Sequence, residues 1–128
     1  MKIYQGVDIV EISKLKKVFT NNKDFATDIF TEKERDYCFS KKDPFPHFAA
    51  RFAAKEAGLK ALGMGMSGSG IDNSFQDIEV VRSKSGKPGL SLGGWTEKIS
   101  RKKNIDQLTL SISHSNEYAI ATVIMAGD

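Results

Sequence analysis

The sequence predicts a single α+β domain over residues 1–128, in which a mostly antiparallel sheet wraps around one long central helix. Three observations carry this. Residues 48–62 place apolar or small side chains on almost every side at ~100° per residue, the pattern of a buried helix. Near the end, Leu108, Leu110, Ile112 and His114 alternate with Thr109, Ser111 and Ser113, and a second β-rich run follows the turn Ser115-Asn116-Glu117. The elements follow in the order strand, three helices, two strands, a helix, two strands, and such segregation belongs to the α+β class.

The elements follow from local signals. Residues 3–12 are rich in β-branched side chains and predict a strand, with the lone acid Asp8 flanked by apolar neighbours. Ser13 is the expected cap of a helix to about residue 21, whose polar side carries Lys14, Lys16 and Lys17. Such lysines form either a solvated face or a docking surface for an acidic partner. Asn21-Asn22-Lys23-Asp24 predicts a turn, and Thr31-Glu32-Lys33-Glu34 is a capping box opening a short helix to about residue 40. Asp43-Pro44 is the expected N-cap of the central helix, with His47 at that junction either structural or facing solvent, and Gly63 is the expected C′ residue. A glycine-rich loop follows, without the Gly-Lys-Ser/Thr ending of a nucleotide-binding loop. Residues 75–82 predict a strand, a turn at Gly86-Lys87-Pro88 leads to a short strand near residues 90–92, and residues 95–103 predict a helix.

Composition narrows the function. With 40% hydrophobic and 27% charged residues the chain is globular. A net charge of +3 suits an anionic partner or substrate and is well short of a nucleic-acid-binding signature. No apolar run is long enough for a bilayer and no signal-peptide core opens the chain, so a cytoplasmic location is expected. The single cysteine, Cys38, excludes an internal disulfide framework and reads as a quiet thiol. One cysteine and two histidines cannot build a closed structural zinc site.

Four features stand apart from the fold pattern: Asp8 in a strand, Glu56 and Lys60 four apart on the buried helix, the glycine-rich loop after it, and His114 at a strand end. Glu56 and Lys60 could be a structural ion pair. Read together with Asp8, the two carboxylates suit a magnesium ion, a hard cation that leaves room for substrate phosphates. Lys60, Arg51 and His114 could then hold phosphate oxygens, an assembly suited to phosphoryl transfer.

A more specific signal comes from whole motifs. Gly6-Val7-Asp8-Ile9-Val10-Glu11-Ile12, Arg51-Phe52-Ala53-Ala54-Lys55-Glu56-Ala57-Gly58-Leu59-Lys60-Ala61-Leu62-Gly63, Phe75-Gln76-Asp77-Ile78-Glu79, Gly86-Lys87-Pro88 and Ser111-Ile112-Ser113-His114-Ser115 occur in this order. Together they resemble the holo-acyl-carrier-protein synthases, the small bacterial type of 4′-phosphopantetheinyl transferase, along essentially the whole chain. The resemblance implies that family's fold and a magnesium-dependent reaction that supports fatty acid biosynthesis. In it a serine of apo-acyl carrier protein takes the phosphopantetheine arm of coenzyme A, leaving adenosine 3′,5′-bisphosphate.

The resemblance also implies roles. Asp8 and Glu56 match the magnesium ligands, and Lys60 matches the lysine beside the diphosphate. Glu56 or a magnesium-held water would accept the serine proton. Arg51 and His114 match coenzyme A contacts, Gly63 and Gly65 the loop beside the diphosphate, and Lys87 and Pro88 the turn near the adenosine. Lys14 and Lys17 would dock the carrier. Members of this type assemble as homotrimers with active sites between subunits. Three departures stand out. Val10 replaces a second acid of the larger transferases, the loop at residues 64–74 is longer, and Lys14, Lys16 and Lys17 stand where relatives often use arginine.

Overall fold

A computed structural model of the chain describes residues 1–64 and 71–128, with residues 71–73 as backbone alone. The elements are β1 (Lys2–Glu11), α1 (Ile12–Asn21), α2 (Phe25–Ile29), α3 (Glu32–Phe39), α4 (Phe45–Ala61), α5 (Ile71–Asp77), β2 (Ile78–Arg82), β3 (Pro88–Leu92), α6 (Gly94–Lys102), β4 (Ile105–His114) and β5 (Tyr118–Gly127). The expected architecture is present, with the sheet in two pieces. One is an antiparallel sheet in the order β1-β5-β4, and the other is the β2-β3 hairpin.

α4 is the centre of the molecule, and both sheets pack against it. Its start follows from Asp43, whose Oδ1 accepts the Phe45 N–H at 3.2 Å, and from Pro46 in the first turn. Its end is a Schellman motif. Gly63 has φ +80°, its N–H reaches Lys60 O at 3.0 Å, and the Met64 N–H reaches Leu59 O at 2.8 Å.

Small residues along α4 let the sheet come very close. A Cβ on Gly6 of β1 would lie 1.9 Å from Ala57 O and 2.8 Å from Ala61 N, so only glycine fits at that crossing. β1 therefore turns Gly6 and Asp8 toward α4 and its other face, Ile3, Val7 and Ile9, outward. On β5 the inward residues are Ala119, Ala121, Val123 and Met125, and the outward ones include Ile120 and Ile124. Register pairs Gly6 with Val123 and Asp8 with Ala121.

On another side of α4 the phenylalanines interlock. Phe48 packs on Phe19 and Phe30 with centroids 4.8 Å apart in both cases, and Phe52 stacks on Phe75 at 5.4 Å.

Some local expectations are corrected. Ser13 does not cap α1. The helix begins at Ile12 directly from β1, and Ser13 Oγ donates to Glu11 Oε1 at 3.1 Å instead. The turn at residues 21–24 opens into the extra helix α2. Residues 75–77 finish helix α5 rather than starting a strand, because burying Phe75 on Phe52 outweighs β propensity. The capping box at Thr31 and Glu34 forms as expected.

Candidate active site

The close crossing of β1 over α4 puts Asp8 against one turn of the helix. Glu56 and Lys60 share that turn because residues four apart lie on one face. Lys60 Nζ donates to Asp8 Oδ1 at 2.9 Å and to Val7 O at 3.1 Å. Glu56 is buried, and its carboxyl is pushed up to about 7. Burial is the largest cause, followed by the Asp8 charge and a hydrogen bond with Asp8, while Lys60 pulls the other way. Two carboxyl groups facing each other beside an ammonium offer hard oxygens that could hold a cation.

An open groove of about 290 Å³ leads away from Asp8 and Glu56 along α1. Lys14, Leu15, Val18 and Phe52 are among the side chains that line it. Lys14 pairs with Glu11 at 3.5 Å, and Lys17 is exposed one turn further along the helix. Past the C-terminal end of α4, the Gly63 backbone is bare, and Lys103 Nζ lies 4.0 Å from where a side chain would begin. Gly65 falls outside the described residues.

Arg51 and His114 are not beside these acids. Arg51 lies ~140° round α4 from Glu56. It is buried, with its guanidinium 4.0 Å from the Tyr37 ring centroid. His114 projects from the end of β4 toward the start of α4, where its ring centroid is 6.0 Å from that of His47. His47, expected to be structural or to face solvent, packs by its ring in this second cluster. Lys87 and Pro88 line a shallow pocket with Arg82 between β3 and β4.

Sequence reasoning missed a buried network beside the site. Lys55 is fully buried, with Nζ 2.7 Å from each of Glu34 Oε1, Phe75 O and Ile78 O and 3.0 Å from Ile29 O, so its three protons serve four acceptors. Glu34 also accepts from the N–H groups of Thr31 and Val80 at 2.8 Å each. Burial pushes the Lys55 ammonium down, opposed chiefly by Glu34. An ammonium in the middle of an alanine-rich buried stretch was the available signal. Cys38 is buried, and its thiol is pushed up to about 12 by that burial, so it is no nucleophile.

Known proteins match along this whole frame. The 4′-phosphopantetheinyl transferase superfamily model matches residues 5–123. A holo-[acyl-carrier-protein] synthase of Caldanaerobacter subterraneus subsp. tengcongensis is 42% identical over 127 residues, covering 99% of this chain and 97% of that protein. The enzyme of that name from Syntrophotalea carbinolica is 45% identical over 124 residues, covering 96% of this chain and 94% of its own. Among solved structures, a Helicobacter pylori holo-[acyl-carrier-protein] synthase in complex with coenzyme A superposes with a TM-score of 0.78 at 32% identity, over 95% of this chain and 99% of the other. A Bacillus anthracis synthase in complex with CoA (3′,5′-ADP) does so with a TM-score of 0.77 at 35% identity, over 98% and 96%. The chain therefore belongs to the 4′-phosphopantetheinyl transferase superfamily, as an enzyme of the holo-[acyl-carrier-protein] synthase type.

Proposed function

We propose that this enzyme moves the 4′-phosphopantetheine group from coenzyme A to a serine of apo-acyl carrier protein, in the cytoplasm and in support of fatty acid biosynthesis. The observation that carries the reading is the contact of Asp8, Glu56 and Lys60 at one crossing of strand and helix. The serine oxygen bonds to the phosphorus bearing the pantetheine arm. The bond from that phosphorus to the bridging oxygen breaks, and its electron pair leaves with adenosine 3′,5′-bisphosphate. Glu56, or a water held by the magnesium ion, would accept the serine proton. Lys60 is half-exposed and can turn from Asp8 to the oxygens of the diphosphate as charge builds there.

Magnesium fits the donor set. Asp8 and Glu56 offer hard oxygens crowded enough to share a proton, and no third His, Cys, Asp or Glu joins them among the described residues, which leaves positions for water and substrate. When bound, the ion supplies charge neutralisation at the diphosphate. The two residues would hold it, and the bare Gly63 backbone leaves room for phosphate oxygens at the helix end.

Arg51 and His114 belong to the same reading only if two chains share one coenzyme, because both stand away from Asp8 and Glu56 of their own chain. That separation supports sites shared between subunits, as in the homotrimer that the resemblance implies. The outward face of β1 and β5, with Ile3, Val7, Ile9, Ile120 and Ile124 exposed, is the surface for a second copy. Lys14 lines the groove from the acids and Lys17 is exposed one turn further along α1, and the two would dock an acidic carrier protein.

Incubation with apo-carrier protein, coenzyme A and magnesium, read by mass spectrometry, tests the reading. A gain of ~340 Da on the carrier serine is expected. No gain with several carriers would remove it. Asp8→Ala and Glu56→Ala should each abolish the gain while the protein stays folded.

A further inference from the structure

The cluster around Arg51 holds more positive groups than the sequence pointed to. Tyr37 on α3 is its platform. Arg51 Cζ lies 4.0 Å from the Tyr37 ring centroid, Lys41 Nζ 4.6 Å and Arg82 Cζ 5.1 Å. Arg82 Nη1 also donates to the Tyr37 hydroxyl at 2.5 Å, which fixes its guanidinium. His47, in the first turn of α4, stands edge-on both to Tyr37 at 5.8 Å and to His114 at 6.0 Å. Arg51 lies one turn along the same helix, with Nη1 3.5 Å from His47 O.

The charges facing His47 are thus Arg51 on its own helix, Lys41 before it and His114 from β4, with Asp43 as the opposing acid. The carboxylates nearest the cluster also have other partners, although Glu79 lines one pocket with Arg51, Tyr37 and Arg82. Glu34 is committed to Lys55, and Glu79 accepts from Thr31. Cations gathered on one aromatic ring repel each other unless an anion joins them.

We propose that His47 is an anion-binding residue of this cluster, donating from its protonated ring to a phosphate dianion held jointly with Arg51 and His114. The inference rests on the coenzyme A reading above. Of the phosphates of coenzyme A, the 3′-phosphomonoester is the one that carries two charges, whereas each phosphorus of the diphosphate carries one. In the free protein burial, Arg51, His114 and Lys41 all lower the proton affinity of the His47 ring, against a smaller opposing pull from Asp43. A dianion reverses that balance, so the ring gains a proton as the phosphate arrives. Affinity for the coenzyme is then coupled to pH through a residue remote from the reacting phosphorus.

Isothermal titration calorimetry tests this, in buffers of different ionisation heat at pH 6, 7 and 8, with coenzyme A and dephospho-coenzyme A as probes. At pH 7 and 8, where the phosphomonoester is already largely a dianion, the wild-type protein should take up protons on binding coenzyme A, and its affinity should fall severalfold as pH rises between them. His47→Gln should lose most of that uptake and most of that fall. His47→Arg, a permanent cation, should bind at pH 8 about as tightly as wild type does at pH 7, which separates charge from packing. Dephospho-coenzyme A should bind without the uptake that depends on His47. The inference is overturned if His47→Gln keeps the wild-type uptake and pH profile, or if dephospho-coenzyme A shows the same uptake. If neither probe binds the wild-type protein, the coenzyme A reading falls with it. Binding that ignores His47 overturns the inference alone.

Discussion

Gly6→Ala tests the crossing that builds the site. The added Cβ would start 1.9 Å from Ala57 O and 2.8 Å from Ala61 N, and both are backbone atoms of a helix buried on nearly all sides. Ordinary contact begins near 3.4 Å, so β1 must retreat from α4 by roughly 1.5 Å. Overpacking of this kind costs about 3 kcal/mol, the upper end of its usual range, because neither helix nor strand can turn aside as a side chain would. The retreat also stretches the Lys60 bond to Val7 O and draws Asp8 from Glu56, and a shift of about 1 Å in a catalytic geometry costs on the order of 100-fold in rate. Urea unfolding measures the first effect, and magnesium titration of turnover measures the second. Gly89→Ala is the control, since its Cβ would meet Val81 Cγ2 at an ordinary 3.8 Å and should change stability by less than about 1 kcal/mol. A Gly6→Ala protein with unchanged stability and unchanged half-saturation by magnesium would refute the account of how the two acids are brought together.

Without divalent ions, the folded protein holds a proton on Glu56 up to about pH 7, whereas the unfolded chain releases it near 4.5. The stability tied to that proton is present below pH 4.5 and is lost as pH rises through 7, amounting to on the order of 3 kcal/mol. Urea unfolding at pH 5 and pH 8 should show this loss in wild type and little of it in Glu56→Gln; equal losses in both would contradict the assignment. Lys55→Met should cost about 3–5 kcal/mol, because Glu34 is left charged and buried, and a cost under about 1 kcal/mol by the same method would mean that the pair is not holding α3 to α4. Changing Lys14 and Lys17 together to Glu should raise KM for the carrier with little change in kcat, more so at low salt. A change confined to coenzyme A affinity would rule out docking there.

The site was legible where chemistry and local geometry coincide. Glu56 and Lys60 are neighbours by helix periodicity alone, and Asp8 is conspicuous because strands seldom carry an acid among β-branched residues. The Schellman end at Gly63 follows from its residue type. What the sequence concealed depends on contacts between distant segments. Phe75 reads as strand until its ring is seen stacked on Phe52. Glu34 satisfies the capping box, and nothing local shows that it also receives Lys55 and Val80. His47 joins His114 only because the end of β4 meets the start of α4, which no spacing reveals. Gly6 was visible as a glycine within a strand, but the partner it admits, the backbone at Ala57, was not.

β1 faces two ways. Asp8 points to the helix, while Val7 and Ile9 on either side of it point out and are largely exposed. If a second copy covers that outer face, the strand holding Asp8 is clamped only when subunits meet, and a solitary chain leaves it to fray. Specific activity would then depend on how much of the protein is present: dilution would silence it and crowding would restore it. The rate of turnover would then follow the amount of this chain more steeply than in simple proportion.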